Sequence, residues 1–254
     1  MPVTIDENPS MHPVLSLVVV SYNYADYLEE AIQSCVAQGR SGDQVEVIVV
    51  DDGSTDHTPE VVRSSAHPAV HYVRLDNSGI EVASNTGFAL ANGSFVMRVD
   101  ADDRLHDNYW MTVREAFTDQ SIDFSYSNYA EIDVTGSRIG EMQLPPYDAA
   151  EIQARGDFLA TGTCWRRDAL ARTGGYRTDK KNSGLENFAL ILGAIQSGSV
   201  GVHVAEVLFD YRLHLRSISR RRQDEITGNG RELFARMGLG TYSRSQYHPQ
   251  HAIF

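Results

Sequence analysis

The sequence predicts an α/β fold in which helices flank a mostly parallel, twisted sheet. The first observation is that short β-branched runs alternate with amphipathic segments over residues 14–105. The second is that four of these runs each end at a cluster of polar residues. Alternating strands and helices form parallel sheets through right-handed crossovers, and such sheets bind ligands at the carboxyl ends of their strands. We therefore expect the four polar clusters to converge on one site.

The first half of the chain contains four strand patterns and three helix patterns. Strands are predicted at residues 15–20, 45–50, 70–75 and 95–99. Apolar residues from Tyr24 to Val36 recur at intervals of three and one, which is typical of one face of a helix. Thr58 followed by Pro59 has the pattern of an N-cap and a first helical position. A third helix is expected at 80–91, where Asn92 and Gly93 end it.

The second half of the chain is less regular. Helices are predicted at 106–117, 166–173 and around 188–195, with a short one at 232–237. Strands are predicted at 124–132 and within 200–213, whereas residues 140–155 have no clear period. We expect a loose leader at 1–13, two halves of a single domain at 14–105 and 106–220, and a C-terminal tail at 221–254.

Composition excludes several classes of protein. The 254 residues include 22 Lys and Arg against 34 Asp and Glu, a net charge of −12, which argues against a general nucleic-acid binder. The longest apolar run is far shorter than the roughly 20 residues that span a bilayer. The first residues are acidic rather than basic, so they do not resemble a signal peptide. Two cysteines are too few for a disulfide framework. These features predict a cytoplasmic protein without a transmembrane segment.

Paired carboxylates at the end of the fourth strand suggest a metal site. Asp100 and Asp102 are separated by one small residue, so both carboxylates can lie on the same face. Hard oxygen ligands favour Mg²⁺ or Mn²⁺, which are often held by few protein groups together with phosphate oxygens. Such a metal would let an acidic site bind a diphosphate. The alternative is a solvated turn that caps the next helix.

The second strand ends at another acidic pair, Asp51 and Asp52. These carboxylates could accept hydrogen bonds from a nucleobase or from ribose hydroxyls, or they could belong to a simple turn in which Asp56 or Thr58 caps a helix. The chain has no G-x-G-x-x-G after its first strand and no G-x-x-x-x-G-K-[ST]. A dinucleotide-binding fold and a P-loop nucleotidase are therefore disfavoured.

Four stretches, taken in order, resemble the family 2 glycosyltransferases of the GT-A fold. They are Val18–Asn23, Val49–Asp56, Asn77–Asp103 with its D-x-D motif, and Thr163–Arg220. The resemblance covers roughly residues 14–220. It implies an inverting enzyme of the bacterial cell-surface polysaccharide type, with a nucleotide-sugar-binding half at 14–105 and an acceptor-binding half at 106–220.

The resemblance also implies a role for individual residues. The donor contacts that it implies are Ser21, Tyr22, Asn23, Asp51, Asp52, Asn77, Gly79, Asn85, Asp100, Ala101 and Arg212. Asp102 would coordinate Mn²⁺ or Mg²⁺, His214 would contact the metal or the diphosphate, and Glu186 would be the catalytic base. The donor is expected to be a nucleotide-sugar, with a UDP-sugar favoured. The acceptor would be a hydroxyl of a glycan, a lipid-linked saccharide or another molecule.

The chemistry of the transfer agrees with these roles. Displacing a nucleoside diphosphate requires its developing charge to be stabilised, which a metal ion can do. The acceptor hydroxyl must lose a proton as it attacks, and a positioned carboxylate can take that proton. One base and one in-line attack give inversion at the anomeric carbon.

Two departures from the family pattern keep other functions open. Asn187 stands where the family usually has a second acid, and Ser84 stands where it commonly has Arg. Glu186 also fits a capping box with Ser183. A non-catalytic sugar-nucleotide-binding module is therefore one alternative. A nucleotidyltransferase is another, although it would need a Gly-rich basic loop after the first strand, which the chain lacks.

Two further features have a functional and a structural interpretation. Trp165 could stack on an acceptor sugar or could belong to the core. The triplet Arg220–Arg222 could make a peripheral contact with an anionic membrane at its inner face, or could be solvated.

Overall fold

The computed structural model describes residues 14–155, 162–215 and 222–242. The predicted leader, residues 221 and 243–254 of the predicted tail, and two residues of the 220–222 triplet lie outside these ranges. The strands are β1 (Leu15–Ser21), β2 (Val45–Asp51), β3 (Val70–Arg74), β4 (Phe95–Asp100), β5 (Arg104–Leu105), β6 (Phe124–Ile132), β7 (Arg138–Met142), β8 (Cys164–Arg166) and β9 (Gly201–Arg212). The helices are α1 (Ala25–Ala37), α2 (Thr58–Ser65), α3 (Ile80–Leu90), α4 (Tyr109–Ala116), α5 (Ala149–Arg155), α6 (Arg167–Thr173), α7 (Glu186–Gln196) and α8 (Gln223–Met237).

The strands form one sheet in the order β3-β2-β1-β4-β8-β6-β9-β5, and β7 pairs with β6 outside this path. Strands β1 to β4 are parallel to one another. Strand β8 runs antiparallel to both β4 and β6 and so joins the two halves of the chain. Strands β6 and β9 are parallel to each other. The predicted α/β class and the mostly parallel sheet of the first half are therefore confirmed.

Several short elements were missing from the sequence prediction. Strands β5, β7 and β8 have two, five and three residues, too few for a hydrophobic period to be recognised. Helix α5 lies in the stretch without a clear period. Helix α2 begins at Thr58, with His57 as its N-cap, so the predicted cap was one residue off.

The C-terminal helix is longer than predicted. Its first half was not expected to be helical because α8 includes two glycines, and glycine usually weakens a helix. A Cβ atom at Gly230 would lie 2.5 Å from the ring of Tyr242. Glycine therefore allows Tyr242 to pack against the helix, where it also meets Phe188 and Phe234. Tertiary packing outweighs helix propensity at this position.

The core is built around β1, which is buried at every position. Helix α3 packs so closely on this strand that a Cβ atom at Gly87 would lie 2.2 Å from Val18 Cγ1. None of the described helices has the length and apolarity that crossing a bilayer requires.

A buried carboxylate holds the turn between α3 and β4. Glu46 lies near the start of β2, and its Oε1 accepts hydrogen bonds from the Ser16 hydroxyl at 2.5 Å and from the Asn92 N–H at 2.6 Å. The Gly93 N–H donates to the same oxygen at 3.2 Å. Burial alone would raise the pKa of Glu46, but these hydrogen bonds lower it below the ordinary value.

Replacing Glu46 with Gln should lower the free energy of unfolding by about 1–3 kcal/mol at pH 7, because hydrogen bonds to a charged acceptor are lost. The folded-state pKa is below the unfolded value of 4.5, so this contribution is present above pH 4.5 and is lost as the pH falls through the folded-state pKa. Urea unfolding of both proteins from pH 7 to pH 3 checks this. A difference that stays constant with pH would contradict it.

Candidate functional site

The carboxyl ends of four neighbouring strands bring the polar clusters together. Ser21 at the end of β1 pairs in register with Asp51 of β2, and Val20 pairs with Asp100 of β4. Arg74 at the end of β3 pairs with Asp51. The candidate site therefore lies at one edge of the sheet, as the alternation of strands and helices predicts.

Asp51 is fully buried and its carboxylate already has three donors. Its Oδ2 accepts hydrogen bonds from the Tyr72 hydroxyl at 2.6 Å and from Arg74 Nη1 at 2.5 Å. Its Oδ1 accepts the N–H of Ser54 at 2.7 Å. Burial and the bond to Asp51 raise the pKa of Tyr72, so this phenol stays a donor at neutral pH. These contacts fix the orientation of the Asp51 carboxylate.

Asp52 shapes the loop that precedes α3. Its two carboxylate oxygens accept the N–H groups of Ser78 and Gly79 at 2.7 and 2.8 Å. Gly79 has a φ of 100°, in the region that favours glycine. The adjacent Asn77 accepts hydrogen bonds from Lys181. Asp52, Asn77 and Gly79, all predicted to contact the nucleotide-sugar, are thus brought together where Asp52 binds the loop before α3.

The loop after β1 is organised by Asn23, which has a φ of 61°. Its N–H donates to Ser54 Oγ at 2.9 Å, and its Oδ1 accepts the N–H of Thr55 at 2.7 Å. Neighbouring Tyr22 is 44% exposed, so its ring is open to a ligand. Ser21 is buried, and its carbonyl oxygen accepts the Asp52 N–H at 2.9 Å.

The two residues predicted to lie at a metal are brought together from distant parts of the sequence. The Asp102 Oδ2 and His214 Nε2 atoms share a hydrogen bond of 2.7 Å. The His214 ring lies against Tyr24 and Tyr27, with centroid distances of 5.5 and 5.6 Å. Ala101, between the two aspartates of the D-x-D motif, is buried.

Arg212 is placed differently from the sequence prediction. Its guanidinium donates to the Asp102 carbonyl at 2.8 Å, to the Asp133 carbonyl at 3.1 Å and to Glu30 Oε2 at 2.6 Å. Its side chain is only 1% exposed. All of these partners belong to the protein, so in this conformation Arg212 supports the backbone of Asp102 instead of facing a diphosphate.

Arg98 is a buried residue of the candidate site that the sequence analysis missed. It lies on β4 two residues before Asp100, and its side chain is 4% exposed. The guanidinium contacts Asp100 Oδ1 at 3.1 Å and Glu186 Oε1 at 3.1 Å. Burial opposes the charge, but the two carboxylates raise the pKa of Arg98 above its ordinary value. A charged residue inside an apolar strand run was the signal that could have revealed it.

Glu186 is therefore located beside Asp100, at the start of α7. The predicted capping box with Ser183 does not form, because the N-cap is Leu185 and no side chain caps the helix there. Instead, Ser183 Oγ accepts the Leu185 N–H at 3.3 Å. The Glu186 carboxylate faces Arg98, and its Oε2 is buried without a hydrogen-bond partner among the described residues.

The position next to Glu186 belongs to the same cluster. Asn187 Oδ1 accepts a 2.5 Å hydrogen bond from the Tyr176 hydroxyl, and the Tyr176 ring lies 5.4 Å from the Arg98 guanidinium carbon. Asn85 of α3 binds the Tyr176 backbone through both side-chain atoms, each at 2.8 Å. Asn85 thus fixes Tyr176, while Ser84 is buried and donates to the carbonyl of Ile80 in its own helix.

Trp165, the two cysteines and Arg222 have structural roles. Trp165 is 3% exposed and lies 4.6 Å from the Phe124 ring, so it belongs to the core. Burial raises the pKa of the Cys35 thiol to about 12 and also raises the pKa of the Cys164 thiol, so both stay protonated at neutral pH. Arg222 is engaged with Glu225 and with the carbonyl of Asn182.

The residues present fit a metal that is bound mainly by ligand and water oxygens. No group of three or more His, Cys, Asp or Glu side chains that could hold a metal occurs within the described parts of the chain. Asp102 and His214 nevertheless offer one carboxylate oxygen and one imidazole nitrogen within 2.7 Å of each other. Mn²⁺ accepts both kinds of ligand, and Mg²⁺ prefers the carboxylate.

Comparison with known proteins gives a consistent match. The family model described as glycosyl transferase family 2 matches residues 16–178. The chain is 27% identical over 217 residues to the putative teichuronic acid biosynthesis glycosyltransferase TuaG of Bacillus subtilis, with 83% of each chain covered. The chain spans much less of two other curated relatives, 16% and 28% of their lengths.

Two solved structures have a similar fold. The crystal structure of S. aureus TarS 1–349 in complex with UDP-GlcNAc has a TM-score of 0.69 at 17% identity, covering 92% of this chain and 68% of that one. The mannosyltransferase PcManGT from Pyrobaculum calidifontis, in complex with GDP-Man and Mn²⁺, has a TM-score of 0.70 at 21% identity. That match covers 96% of this chain and 69% of the other. At these identities the likeness shows the fold alone.

Replacing Arg98 with Met should lower the free energy of unfolding by about 3 kcal/mol, because two carboxylates near one another lose their shared cation. The matched control is Arg40→Met, since Arg40 pairs with Asp107 at a surface where both side chains are at least 75% exposed. That change should cost less than about 1 kcal/mol. Urea unfolding at pH 7 compares the two, and equal losses would contradict the buried role of Arg98.

Proposed function

Because the chain belongs to glycosyl transferase family 2, we propose that it is a metal-dependent, inverting enzyme that transfers a sugar from a UDP-sugar to an acceptor hydroxyl in polysaccharide biosynthesis. The Asp102–His214 contact is the observation that carries the proposal, because it joins the D-x-D motif to a histidine 112 residues later at the carboxyl edge of the sheet. TuaG, named for teichuronic acid biosynthesis, supports the polysaccharide role.

The donor site that we propose lies along the ends of β1, β2 and β4. Asp51 and the Ser21–Asn23 backbone would contact the nucleobase, and Asp52 and Asp100 would lie near the base and the ribose. Tyr22, which is exposed, would cover the base. TarS binds UDP-GlcNAc and PcManGT binds GDP-Man, so this fold accepts more than one nucleobase. A UDP-sugar stays the favoured donor.

Asp102 and His214 would hold Mn²⁺ or Mg²⁺, which when bound supplies positive charge to the leaving diphosphate. Arg212 has a positioning role in this proposal, because it donates to the Asp102 carbonyl and lies 4.7 Å from the Tyr27 ring that stacks on His214. The neighbouring Asp103 accepts the Arg212 N–H at 3.0 Å. These contacts preorganise the two proposed ligands.

Glu186 is the proposed base. Its carboxylate takes the proton of the acceptor hydroxyl while that oxygen attacks the anomeric carbon from the face opposite the leaving group. The bond between the anomeric carbon and the diphosphate oxygen breaks, and a glycosidic bond of inverted configuration forms. Arg98 holds one oxygen of Glu186, and the other, Oε2, has no partner among the described residues.

A sugar-nucleotide-binding module without catalysis is the second candidate. It is favoured by two contacts: Arg98 already engages Glu186, and the adjacent amide of Asn187 is bonded to Tyr176.

The proposal also includes a cytoplasmic location. A peripheral contact with the inner face of the membrane would have to involve residues other than Arg222, whose guanidinium is bonded within the protein.

The donor site is tested by calorimetry with UDP, GDP, TDP and CMP, each with Mn²⁺ and with EDTA. We expect one nucleotide, favoured to be UDP, to bind only with metal. Asp102→Ala should weaken that binding by about 2–3 kcal/mol, roughly 30- to 150-fold, because a charged partner is lost. The control is Asp107→Ala, an exposed aspartate. Binding that is equal in EDTA would contradict the metal dependence.

The base is tested with Glu186→Gln and Asn187→Asp. We expect Glu186→Gln to reduce transfer about 10²- to 10⁴-fold without changing nucleotide affinity, because only proton removal is affected. Transfer is measured as release of the nucleoside diphosphate with a panel of saccharide acceptors. Full activity in Glu186→Gln would show that Glu186 is not the base. Nucleotide binding without turnover in every protein would favour the binding module.

A further inference from the structure

The loop before Glu186 is bonded to the start of α3 by side chains on both sides. We call this set of contacts the Glu81 clasp, and it joins Asn77, Ile80 and Glu81 to Lys181, Asn182 and Ser183. Glu81 is 1% exposed, and its two carboxylate oxygens accept the N–H groups of Asn182 and Ser183 at 2.8 and 2.6 Å. The proposed function does not use any of these charged groups.

The clasp is reciprocal. Asn182 Oδ1 accepts the N–H of Ile80 at 3.0 Å, and Lys181 Nζ donates to the carbonyl of Asn77 at 2.8 Å. A Cβ atom at Gly79 would lie 2.6 Å from Lys181 Cγ, so only glycine lets the two segments approach this closely. The segments are about 100 residues apart in the chain, and hydrogen bonds run in both directions between them.

Each side of the clasp leads directly into the candidate site. The 77–81 side is held by Asp52, which accepts the N–H groups of Ser78 and Gly79. The 181–183 side ends three residues before Glu186. Helix α8 holds the same loop from outside, since Arg222 Nη1 donates to the Asn182 carbonyl at 2.8 Å and Asn229 Nδ2 donates to the Ser183 carbonyl at 2.9 Å.

We infer that Glu81 is a positioning residue, whose carboxylate sets where α7 begins and thus where Glu186 lies relative to the donor. This inference rests on the proposed function, in which Glu186 is the base. Glu81 has no direct contact with the predicted donor residues Asp51, Asp100 or Asp102 among the described hydrogen bonds. Its loss should therefore affect turnover more than donor affinity, because a displacement of about 1 Å can cost about 10²-fold in rate.

The experiment compares Glu81→Gln with Glu46→Gln. Both wild-type glutamates are buried and each accepts two backbone N–H groups, but Glu46 lies at the opposite end of the parallel strands. Release of nucleoside diphosphate is measured with UDP-glucose, UDP-galactose, UDP-GlcNAc and GDP-mannose, with Mn²⁺ and with water as acceptor. We expect Glu81→Gln to lower kcat about 10- to 100-fold with KM for the donor unchanged within about twofold. Glu46→Gln should lower the free energy of unfolding and leave kcat and KM unchanged.

A kcat in Glu81→Gln that equals the kcat of Glu46→Gln would overturn the inference. If Glu81→Gln does not fold, Asn182→Gly takes its place. Asn182 has a φ of 52°, which glycine adopts readily, so this change removes only the acceptor for the Ile80 N–H. The same fall in kcat at constant KM is expected, and its absence would overturn the inference.

Failure of the proposed function is distinguished by the wild type, which would then release no nucleoside diphosphate from any donor, whether or not it binds nucleotide. Hydrogen exchange then tests, without an activity assay, whether Glu81 holds the start of α7 in place. The N–H of Ala189 donates to the Leu185 carbonyl at 2.8 Å in the first turn of α7. We expect amides 189 and 190 to exchange at least about tenfold faster in Glu81→Gln than in Glu46→Gln. Equal rates in the two variants would overturn the inference.

Discussion

Carboxylates crowd the carboxyl edge of the sheet, and each of them is paired with a donor of the protein. This pairing is the interaction on which the site depends, because an unpaired buried carboxylate is costly. Asp51 is paired with Tyr72 and Arg74, Asp52 with two backbone N–H groups, and Asp102 with His214. The donors come from strands, loops and helices far apart in the sequence. Pairing these carboxylates with donors therefore brings distant parts of the chain together at the site.

The same pairing joins the two halves of the chain. Arg98 of β4 reaches Glu186 at the start of α7, and the Asp102 segment is bonded to both Arg212 and His214 at the end of β9. Strand β8 adds backbone pairing between β4 and β6. A ligand at the strand ends would thus touch side chains from both halves, each already oriented by a partner in the other half.

The strand and helix periods of the first half could be predicted because they are local properties of the sequence. The convergence of Asp51 and Asp100 also followed, since parallel strands bring their carboxyl ends together. Arg98 was missed because a buried arginine in a strand is intelligible only once its partners, 2 and 88 residues away, are known. Arg212 shows a second limit of prediction from the sequence. Its place next to a family motif suggested a ligand contact, but its orientation depends on Glu30 and Asp133, which no local pattern connects to it.

The distribution of positive charge supports the proposal that a metal assists diphosphate binding in this protein of net charge −12. Within the described part of the site, the cations of Arg98, Arg74 and Arg212 are each bonded to a carboxylate of the protein. Lys181 is bonded to Asn77. The three guanidinium groups are thus already engaged with carboxylates, whereas the Lys181 ammonium has uncharged partners in these contacts. The family position that commonly carries Arg is Ser84, which is buried and bonded within its own helix. In the proposed function, charge for the leaving diphosphate would be supplied by a metal ion, and Asp102 and His214 are the residues that would hold it.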